Sequence, residues 1–173
     1  TDAYITGESV GETTISGDAK FTGEIVMDIT GTNVVIPKLE ITGGELNVTK
    51  WNITSAAAKA GAKPAVSGGT FTSAVPAEYC APNYEPVKNS NGTYGVRHFF
   101  VAKIGEAQYD TLQEAIDKAD NGATIVLLRD ITVTSTVKFD KAGKNITIDL
   151  QSHKITGDKC RALHVIDGTL QIN

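Results

Sequence analysis

The feature of this sequence that most constrains its fold is a short phrase that recurs along the chain: an aliphatic residue, a small polar residue and a glycine. Each phrase joins a residue suited to a buried strand to a residue suited to a turn, so it predicts a short strand and a change of direction. The phrases are TISG (14–17), KFTG (20–23), DITG (28–31), EITGG (40–44), AVSGG (65–69), KITG (154–157) and VIDG (165–168). Repetition of one such unit predicts a solenoid.

The repeat is clearest in the second half of the chain, where TIVLL (124–128), NITIDL (145–150) and ALHVI (162–166) recur at intervals near the roughly 20 residues of one solenoid coil. Second strands, VKF (137–139) and KIT (154–156), fall between them. The chain is therefore predicted to be mainly β, with parallel β-helix segments. A β-sandwich of antiparallel hairpins stays open for the N-terminal part, residues 1–62, where the spacing is less regular.

One α-helix is predicted at about 111–119. Thr111 and Glu114 form a capping box, and Asn121-Gly122 supplies a C-terminal stop. Apolar residues at the i, i+3, i+4 and i+7 positions give the helix one apolar face, formed by Leu112, Ala115, Ile116 and Ala119. A strong strand follows at once, so the helix is expected to cap the open end of a strand stack.

The stretch 63–96 predicts a boundary between two domains. Pro76, Pro82 and Pro86 prevent a strand series from continuing because proline removes ladder donors. SNGT (90–93) predicts a hairpin. We therefore expect a β-rich unit over 1–98 that ends in a Pro/Tyr/Cys terminator with a hairpin, and a second unit over 99–173 that begins with the capping helix and a parallel β-helix.

Composition narrows the classes of partner. The formal net charge of −4 is spread thinly, without the basic stripe of a nucleic-acid-binding protein. No apolar run is long enough to cross a bilayer, so we expect no membrane insertion in this segment. The N-terminus does not resemble a signal peptide, and we expect the chain to be an excerpt of a larger protein.

Cys80 and Cys160 lack the spacing of a metal site, which predicts that they bind no metal. A Cys80–Cys160 disulfide and two free thiols both stay open.

Candidates for catalysis are few. The best local cluster is Asp149, His153 and Asp167, with Arg161 and His164 nearby. A carboxylate and an imidazole on adjacent coils more often satisfy turn backbone groups than act on a substrate. We therefore predict no enzyme activity, no catalytic residues and no cofactor.

Aromatic residues are better candidates for binding. Aromatics make up only 6% of the chain, yet Tyr79, Tyr84 and Tyr94 cluster in the terminator, and Trp51 lies in a strand-like alternation. Tyr and Trp are favoured interface anchors, so these four are the predicted partner-binding residues. The alternative is that the tyrosines fix the terminator onto the last coil.

The run 102–157, which begins AKIGEAQYDTLQEAIDKADNGATIVLL, resembles the repeated right-handed parallel β-helix segments of large surface proteins from gut-dwelling Gram-positive bacteria. The stretch 66–96 looks like the segment that closes one such unit, and the resemblance covers about residues 63–173. It implies a secreted protein that is anchored to the cell wall and acts as an adhesin or a host-binding protein. Some such proteins bind immunoglobulin variable regions as B-cell superantigens.

The expected function is therefore a non-catalytic cell-surface module that binds a host macromolecule, with an immunoglobulin as the leading candidate and mucin or another glycoprotein next. A fold-level resemblance does not identify a site. Two alternatives stay open: a carbohydrate-active β-helix similar to polysaccharide lyases and glycosidases, and a passive surface spacer.

Overall fold

The structure, a computed structural model, describes residues 3–6, 12–30 and 35–173. It is mainly β, with 51% strand and 9% helix, and its parallel coils stack into a β-solenoid of about six turns. The predicted fold class is therefore confirmed. The chain divides into two compact units, Thr1–His98 and Phe99–Asn173. One glycine of the recurring phrases, Gly31, lies outside the described residues.

The first unit contains nine strands, one short α-helix and one 3₁₀ turn within its described residues. The strands are β1 (Ala3–Thr6), β2 (Glu12–Ile15), β3 (Lys20–Asp28), β4 (Lys38–Ile41), β5 (Glu45–Ile53), β6 (Pro64–Val66), β7 (Thr70–Phe71), β8 (Tyr84–Lys88) and β9 (Tyr94–His98). The helix is α1 (Ser55–Lys59), and the 3₁₀ turn is Ala77–Tyr79.

Two parallel stacks build this unit. One sheet runs β1-β3-β5-β7 with every pair parallel, and a second runs β2-β4-β6, also parallel. The β-sandwich alternative for residues 1–62 is thus wrong. Consecutive strands within a sheet are separated by about one coil of chain, which allows parallel stacking, whereas hairpins would pair neighbours through short turns.

The coils align so that like side chains stack. Phe21, Leu46 and Phe71 occupy one register row on β3, β5 and β7, and they point into the core. On the outside, charged residues at matched register positions form ion pairs across coils: Glu12–Lys38 at 2.7 Å, Lys20–Glu45 at 3.2 Å and Glu24–Lys50 at 3.0 Å. A slip of one residue would expose the apolar row, so burial of that row sets the register. The ion pairs on the outside contribute little to the stability of the stack.

Glycine permits the close approach of coils at one corner. A Cβ on Gly43 would lie 2.8 Å from the backbone nitrogen of Gly17 in the preceding coil. A Cβ on Gly68 would collide with the carbonyl of Thr42. Gly43 and Gly68 are therefore needed because a side chain has no room at either position.

The parallel stack of the first unit ends in a hairpin. β8 and β9 pair antiparallel, Asn89 N donates to Thr93 O at 2.8 Å, and Gly92 has a φ of 87°. β9 in turn pairs antiparallel with β7, with Tyr94 opposite Phe71. The hairpin predicted at SNGT is confirmed, and it covers the edge of the last parallel strand.

The short helix α1 was not expected from the sequence. Thr54 is its N-cap residue and accepts from Ala57 N at 3.4 Å, and Ala57 is fully buried. A run of three alanines has no apolar face against a polar one, so the periodicity that reveals longer helices is missing.

The second unit contains β10 (Ala102–Ile104), β11 (Ala107–Tyr109), α2 (Leu112–Lys118), β12 (Thr124–Leu127), β13 (Ile131–Val133), β14 (Val137–Asp149), β15 (Ile155–Gly157) and β16 (Leu163–Ile172). The pairs β12–β14, β14–β16 and β13–β15 are parallel. β10 pairs antiparallel with both β11 and β12. This antiparallel entry was not predicted.

The predicted capping helix is present as α2, with Thr111 as N-cap accepting from Glu114 N at 3.0 Å. β12 pairs with the end of β14, and along the first part of β14 the same edge has no strand beside it among the described residues. The side chain of Gln113 lies there instead: its Oε1 accepts from Lys138 N at 2.7 Å and its Nε2 donates to Lys138 O at 3.0 Å. A side-chain amide thus takes the place of a strand's peptide group.

Candidate functional site

The predicted aromatic anchors lie at the end of the first unit, with their rings against the core. Trp51 holds the register position beside the buried Ile25, which makes it an inward-facing residue of β5. Its ring centroid lies 5.2 Å from that of Tyr79 and 6.5 Å from that of Phe71. Trp51 and Tyr79 are half-buried, so both contribute to packing whatever else they do.

Tyr84 and Tyr94 share one face of the β8–β9 hairpin. The Tyr84 ring meets the imidazole of His98 edge-on at 5.1 Å, and Lys88 Nζ lies 5.8 Å from the ring centroid of Tyr94. Both tyrosines pack against the core of the first unit. These contacts agree with the structural alternative, in which tyrosines fix the terminator to the last coil, and the partner-binding role stays a prediction.

An open groove lies on β3, β5 and β7, with a volume of about 370 Å³. We call it the coil groove and define it by the residues that line it: Lys20, Phe21, Thr22, Glu45, Leu46, Asn47, Thr70, Phe71, Thr72 and Thr93. Register pairing aligns residues 20–22, 45–47 and 70–71 in rows across three coils. Neighbouring strands in a sheet are about 4.8 Å apart, so each row offers groups at that spacing.

Two polar rows border the coil groove. In one, Lys20 and Glu45 form an exposed ion pair and Thr70 follows in register. In the other, Thr72 Oγ1 donates to Asn47 Oδ1 at 2.8 Å. The amide nitrogen of Asn47 and the hydroxyl of Thr70 have no hydrogen-bond partner within the described part of the chain, and both residues are exposed. They can therefore bind polar groups of a partner.

Sequence reasoning did not find the coil groove, although a signal was present. The triplets KFT (20–22), ELN (45–47) and TFT (70–72) each place an apolar residue between two polar ones, and they begin at regular intervals along the chain. Such a spacing, once the coil length is known, predicts two outward polar rows on either side of an inward apolar row.

The side chains considered for catalysis, Asp149, His153 and Asp167, do not hydrogen-bond to one another; each has another partner. Asp149 accepts from Gln151 N at 3.1 Å, and Asp167 accepts from Gly168 N at 2.6 Å. His153 Nδ1 instead lies 3.2 Å from Asp130 Oδ1 in the preceding coil. These carboxylates satisfy turn and coil-to-coil backbone groups.

The carboxyl of Asp130 has a lowered pKa. The backbone N–H of Lys154 holds the pKa of the Asp130 carboxyl below its usual value, aided by the side chain of His153 and the charge of Lys154. Asp130 Oδ1 accepts from Lys154 N at 3.2 Å. The carboxylate therefore links two coils at a turn.

Both cysteines are free thiols. Cys80 is buried and its Sγ donates to Pro76 O at 3.8 Å, whereas Cys160 is half-buried and its Sγ donates to Val133 O at 3.2 Å. Burial, and then the Glu78 carboxylate, raise the pKa of the Cys80 thiol. Of the two alternatives left open by the sequence, the structure has the packed thiols.

Across the described residues, no group of three or more His, Cys, Asp and Glu side chains is arranged to hold a metal ion. No helix in the described part of the chain is long and apolar enough to span a membrane.

The fold and the groove define the class of protein: a β-solenoid built of two units, with an open groove across β3, β5 and β7 of the first. Comparisons of the chain with protein-family models, with curated proteins and with solved structures find no match.

Proposed function

We propose that the chain is a non-catalytic module of a bacterial cell surface that binds a host macromolecule through the coil groove. The observation that carries the proposal is the alignment of exposed polar side chains in rows across β3, β5 and β7, beside an open groove. Enclosed pockets suit small molecules, whereas an open, extended surface suits a partner that is itself large.

The rows supply the hydrogen-bonding groups that such a surface needs. Asn47 offers an amide donor, Thr70 offers a hydroxyl, and the Lys20–Glu45 pair offers both charges at the rim. Rim charges change association rates and selectivity more than they change affinity. The groove is held by strands rather than by loops, so little ordering is needed on binding.

The leading partner is an immunoglobulin, bound through its variable region in the manner of a superantigen. This choice is supported by the resemblance of residues 63–173 to host-binding surface proteins. A mucin or another glycoprotein is the second candidate, because hydroxyl and amide rows also suit the hydroxyl groups of glycans. The proposed location is extracellular, on a cell wall to which the full-length protein is anchored.

The four aromatic residues remain proposed anchors, but they are poor first targets for mutation. Trp51 and Tyr79 face inward, and removing either ring would alter the packing of the first unit. A loss of binding in Trp51→Ala would therefore not separate recognition from folding. Exposed residues of the coil groove give the cleaner test.

The experiment is a pull-down from intestinal secretions with wild type, Thr70→Arg and Thr14→Arg. Both threonines are exposed strand residues of the first unit, but Thr14 lies on β2, outside the groove. We expect wild type and Thr14→Arg to retain the same macromolecule and Thr70→Arg to lose it, with unchanged circular dichroism in all three.

Comparing Fab, Fc and purified mucin as the retained species then identifies the partner class. Retention of Fab but not Fc supports variable-region binding. Retention of mucin that disappears after enzymatic removal of its glycans supports the second candidate. Equal retention of the partner by Thr70→Arg and wild type would contradict the groove as the site, and capture of nothing would favour a passive spacer.

A further inference from the structure

The chain contains two Asn-Gly dipeptides, Asn91-Gly92 at the tip of the β8–β9 hairpin and Asn121-Gly122 between α2 and β12. Asparagine is a chemically labile residue, because its side-chain carbonyl carbon can react with the backbone nitrogen of the next residue. Glycine at that next position makes the approach easiest, since it has no Cβ and a freely rotating backbone. Both dipeptides are therefore candidate sites of covalent modification.

The immediate surroundings of the two dipeptides are alike. Asn91 and Asn121 are both exposed, and the glycines that follow them have φ of 87° at Gly92 and 82° at Gly122. A Cβ added to either glycine would have no atom within 4 Å. Solvent access, glycine conformation and crowding therefore do not distinguish the two sites.

The hydrogen bonds of Asn121-Gly122 tie it to a distant strand. Asn121 Oδ1 accepts from Asn145 N at 2.7 Å, and Gly122 N donates to Asn145 O at 2.7 Å. The next residue, Ala123, accepts from Thr147 N at 3.0 Å. Both reacting groups, the side-chain amide and the glycine nitrogen, are thus held to β14. A reaction there requires this coil to separate from its neighbour.

The hydrogen bonds that the structure gives the same groups at Asn91 stay within residues 89–93. Gly92 N donates to Asn89 O at 3.1 Å, and Asn91 Oδ1 accepts from Thr93 N at 3.1 Å and from Thr93 Oγ1 at 2.7 Å. Opening of the hairpin tip breaks these bonds without separating any pair of strands. Exposed loop tips open at a lower free energy than stacked strands, so Asn91 can rearrange while the rest of the unit stays folded.

We propose that Asn91 is a self-modification site, which deamidates spontaneously in the folded chain while Asn121 keeps its amide. The backbone nitrogen of Gly92 loses its proton to water and bonds to Cγ of Asn91. The Cγ–Nδ2 bond breaks, and Nδ2 takes a proton from water and leaves as ammonia. Water then opens the cyclic imide at either of its carbonyl carbons. The sum is one water consumed and one ammonia released, with no change in oxidation state.

The modification changes the hairpin tip. Opening of the imide at Cγ gives aspartate, whereas opening at the backbone carbonyl carbon gives a β-linked aspartate with an extra methylene group in the main chain. The β-linked form lengthens the loop that is closed by the hydrogen bond from Asn89 N to Thr93 O, at 2.8 Å. Thr93 also lines the coil groove. Deamidation requires no partner, so its test is independent of binding by the groove.

Peptide mapping by mass spectrometry tests the proposal, after incubation of the protein in mildly alkaline buffer, both native and in urea. In the native protein we expect Asn91 to deamidate at least about tenfold faster than Asn121, because opening at Asn121 must also break hydrogen bonds between coils. In urea the two sites should react at similar rates, since both are Asn-Gly. Equal rates in the native protein, faster reaction at Asn121, or an unreactive Asn91 would overturn the proposal.

A variant tests whether the hairpin tip controls the rate. Thr93→Val keeps the size of the side chain but removes the hydroxyl that donates to Asn91 Oδ1. Deamidation of Asn91 should become about twofold to tenfold faster, the effect of losing one hydrogen bond. Asn121 in the same molecule is the internal reference and should not change. An unchanged or slower rate at Asn91 would contradict control by the loop.

Hydrogen exchange tests the structural effect, with Asn91→Asp as the matched control that carries the charge without the extra methylene group. The β-linked form, purified by ion exchange, should lose protection at the amide of Asn89, whereas Asn91→Asp should keep it. Equal protection of Asn89 in the two proteins would contradict the lengthened loop.

Discussion

Replacing Gln113 by Ala should open the edge of β14 that α2 covers. The side chain makes two hydrogen bonds to the backbone of Lys138, at 2.7 and 3.0 Å. A typical hydrogen bond contributes about 0.5–1.5 kcal/mol, so Gln113→Ala should destabilise the second unit by about 1–3 kcal/mol. Gln113→Glu should fall between wild type and Ala, since a carboxylate can accept from Lys138 N but cannot donate to Lys138 O.

Hydrogen exchange measures this effect where it occurs. The amide of Lys138 is bound to Gln113 Oε1, so Gln113→Ala should remove its protection and leave that of Ile148, further along β14, largely unchanged. Urea unfolding followed by circular dichroism gives the change in the free energy of unfolding. The control is Gln108→Ala at an exposed position of β11, which should change the free energy of unfolding by less than about 0.5 kcal/mol. Unchanged protection at Lys138, or equal losses in Gln113→Ala and Gln108→Ala, would refute the capping role of Gln113.

Three further predictions concern packing, pH and thiol reactivity. Gly68→Ala should lower the free energy of unfolding by more than about 2 kcal/mol, because the added methyl group meets a carbonyl of the preceding coil. Gly61 has a φ of 88° but open space around it, so Gly61→Ala should lower the free energy of unfolding by about 1 kcal/mol. Equal losses for the two variants in urea unfolding would contradict the close approach. The pKa of Asp130 is lowered, first by a backbone N–H of the next coil and then by a histidine. The contribution of the Asp130 carboxylate to stability is therefore present above the unfolded-state pKa of about 3.9, and it is lost as pH falls through the lower pKa of the folded state. Asp130→Asn should flatten acid unfolding in that range, and an unaltered profile would contradict this. Cys160 should react with a thiol reagent faster than Cys80, which is 7% exposed and has a raised pKa; the reverse order by mass spectrometry would be inconsistent with the packing.

Much of the fold could be predicted from the sequence because local signals agreed. The strand-plus-glycine phrases indicated stacked coils, and Thr111 with Glu114 marked the start of a helix that the structure has at Leu112–Lys118. The Asn91-Gly92 turn marked the hairpin. Each of these signals is local, and each is reinforced by the tertiary structure.

Other features depended on contacts between residues distant in the chain. The helix α1 is stabilised by burial of Ala57, and no periodicity announces it. The strand-like alternation around Trp51 left the direction of its side chain open, and an extra residue of β5 at the irregularity after Gly23 shifts the pairing so that Trp51 aligns with the buried Ile25. The coil groove required the register of three strands, which a single sequence specifies only after the coil length is known.

Surface plasmon resonance on the immobilised chain measures whether the coil groove binds a host macromolecule. Polyclonal Fab, Fc and mucin are titrated over wild type, Asn47→Arg and Thr14→Arg. We expect saturable binding of one of these ligands to wild type and Thr14→Arg. We expect a loss of affinity of at least about tenfold in Asn47→Arg, the size expected when a contact in an interface is replaced by a clash. Equal affinity of that ligand for all three proteins would contradict binding through the coil groove.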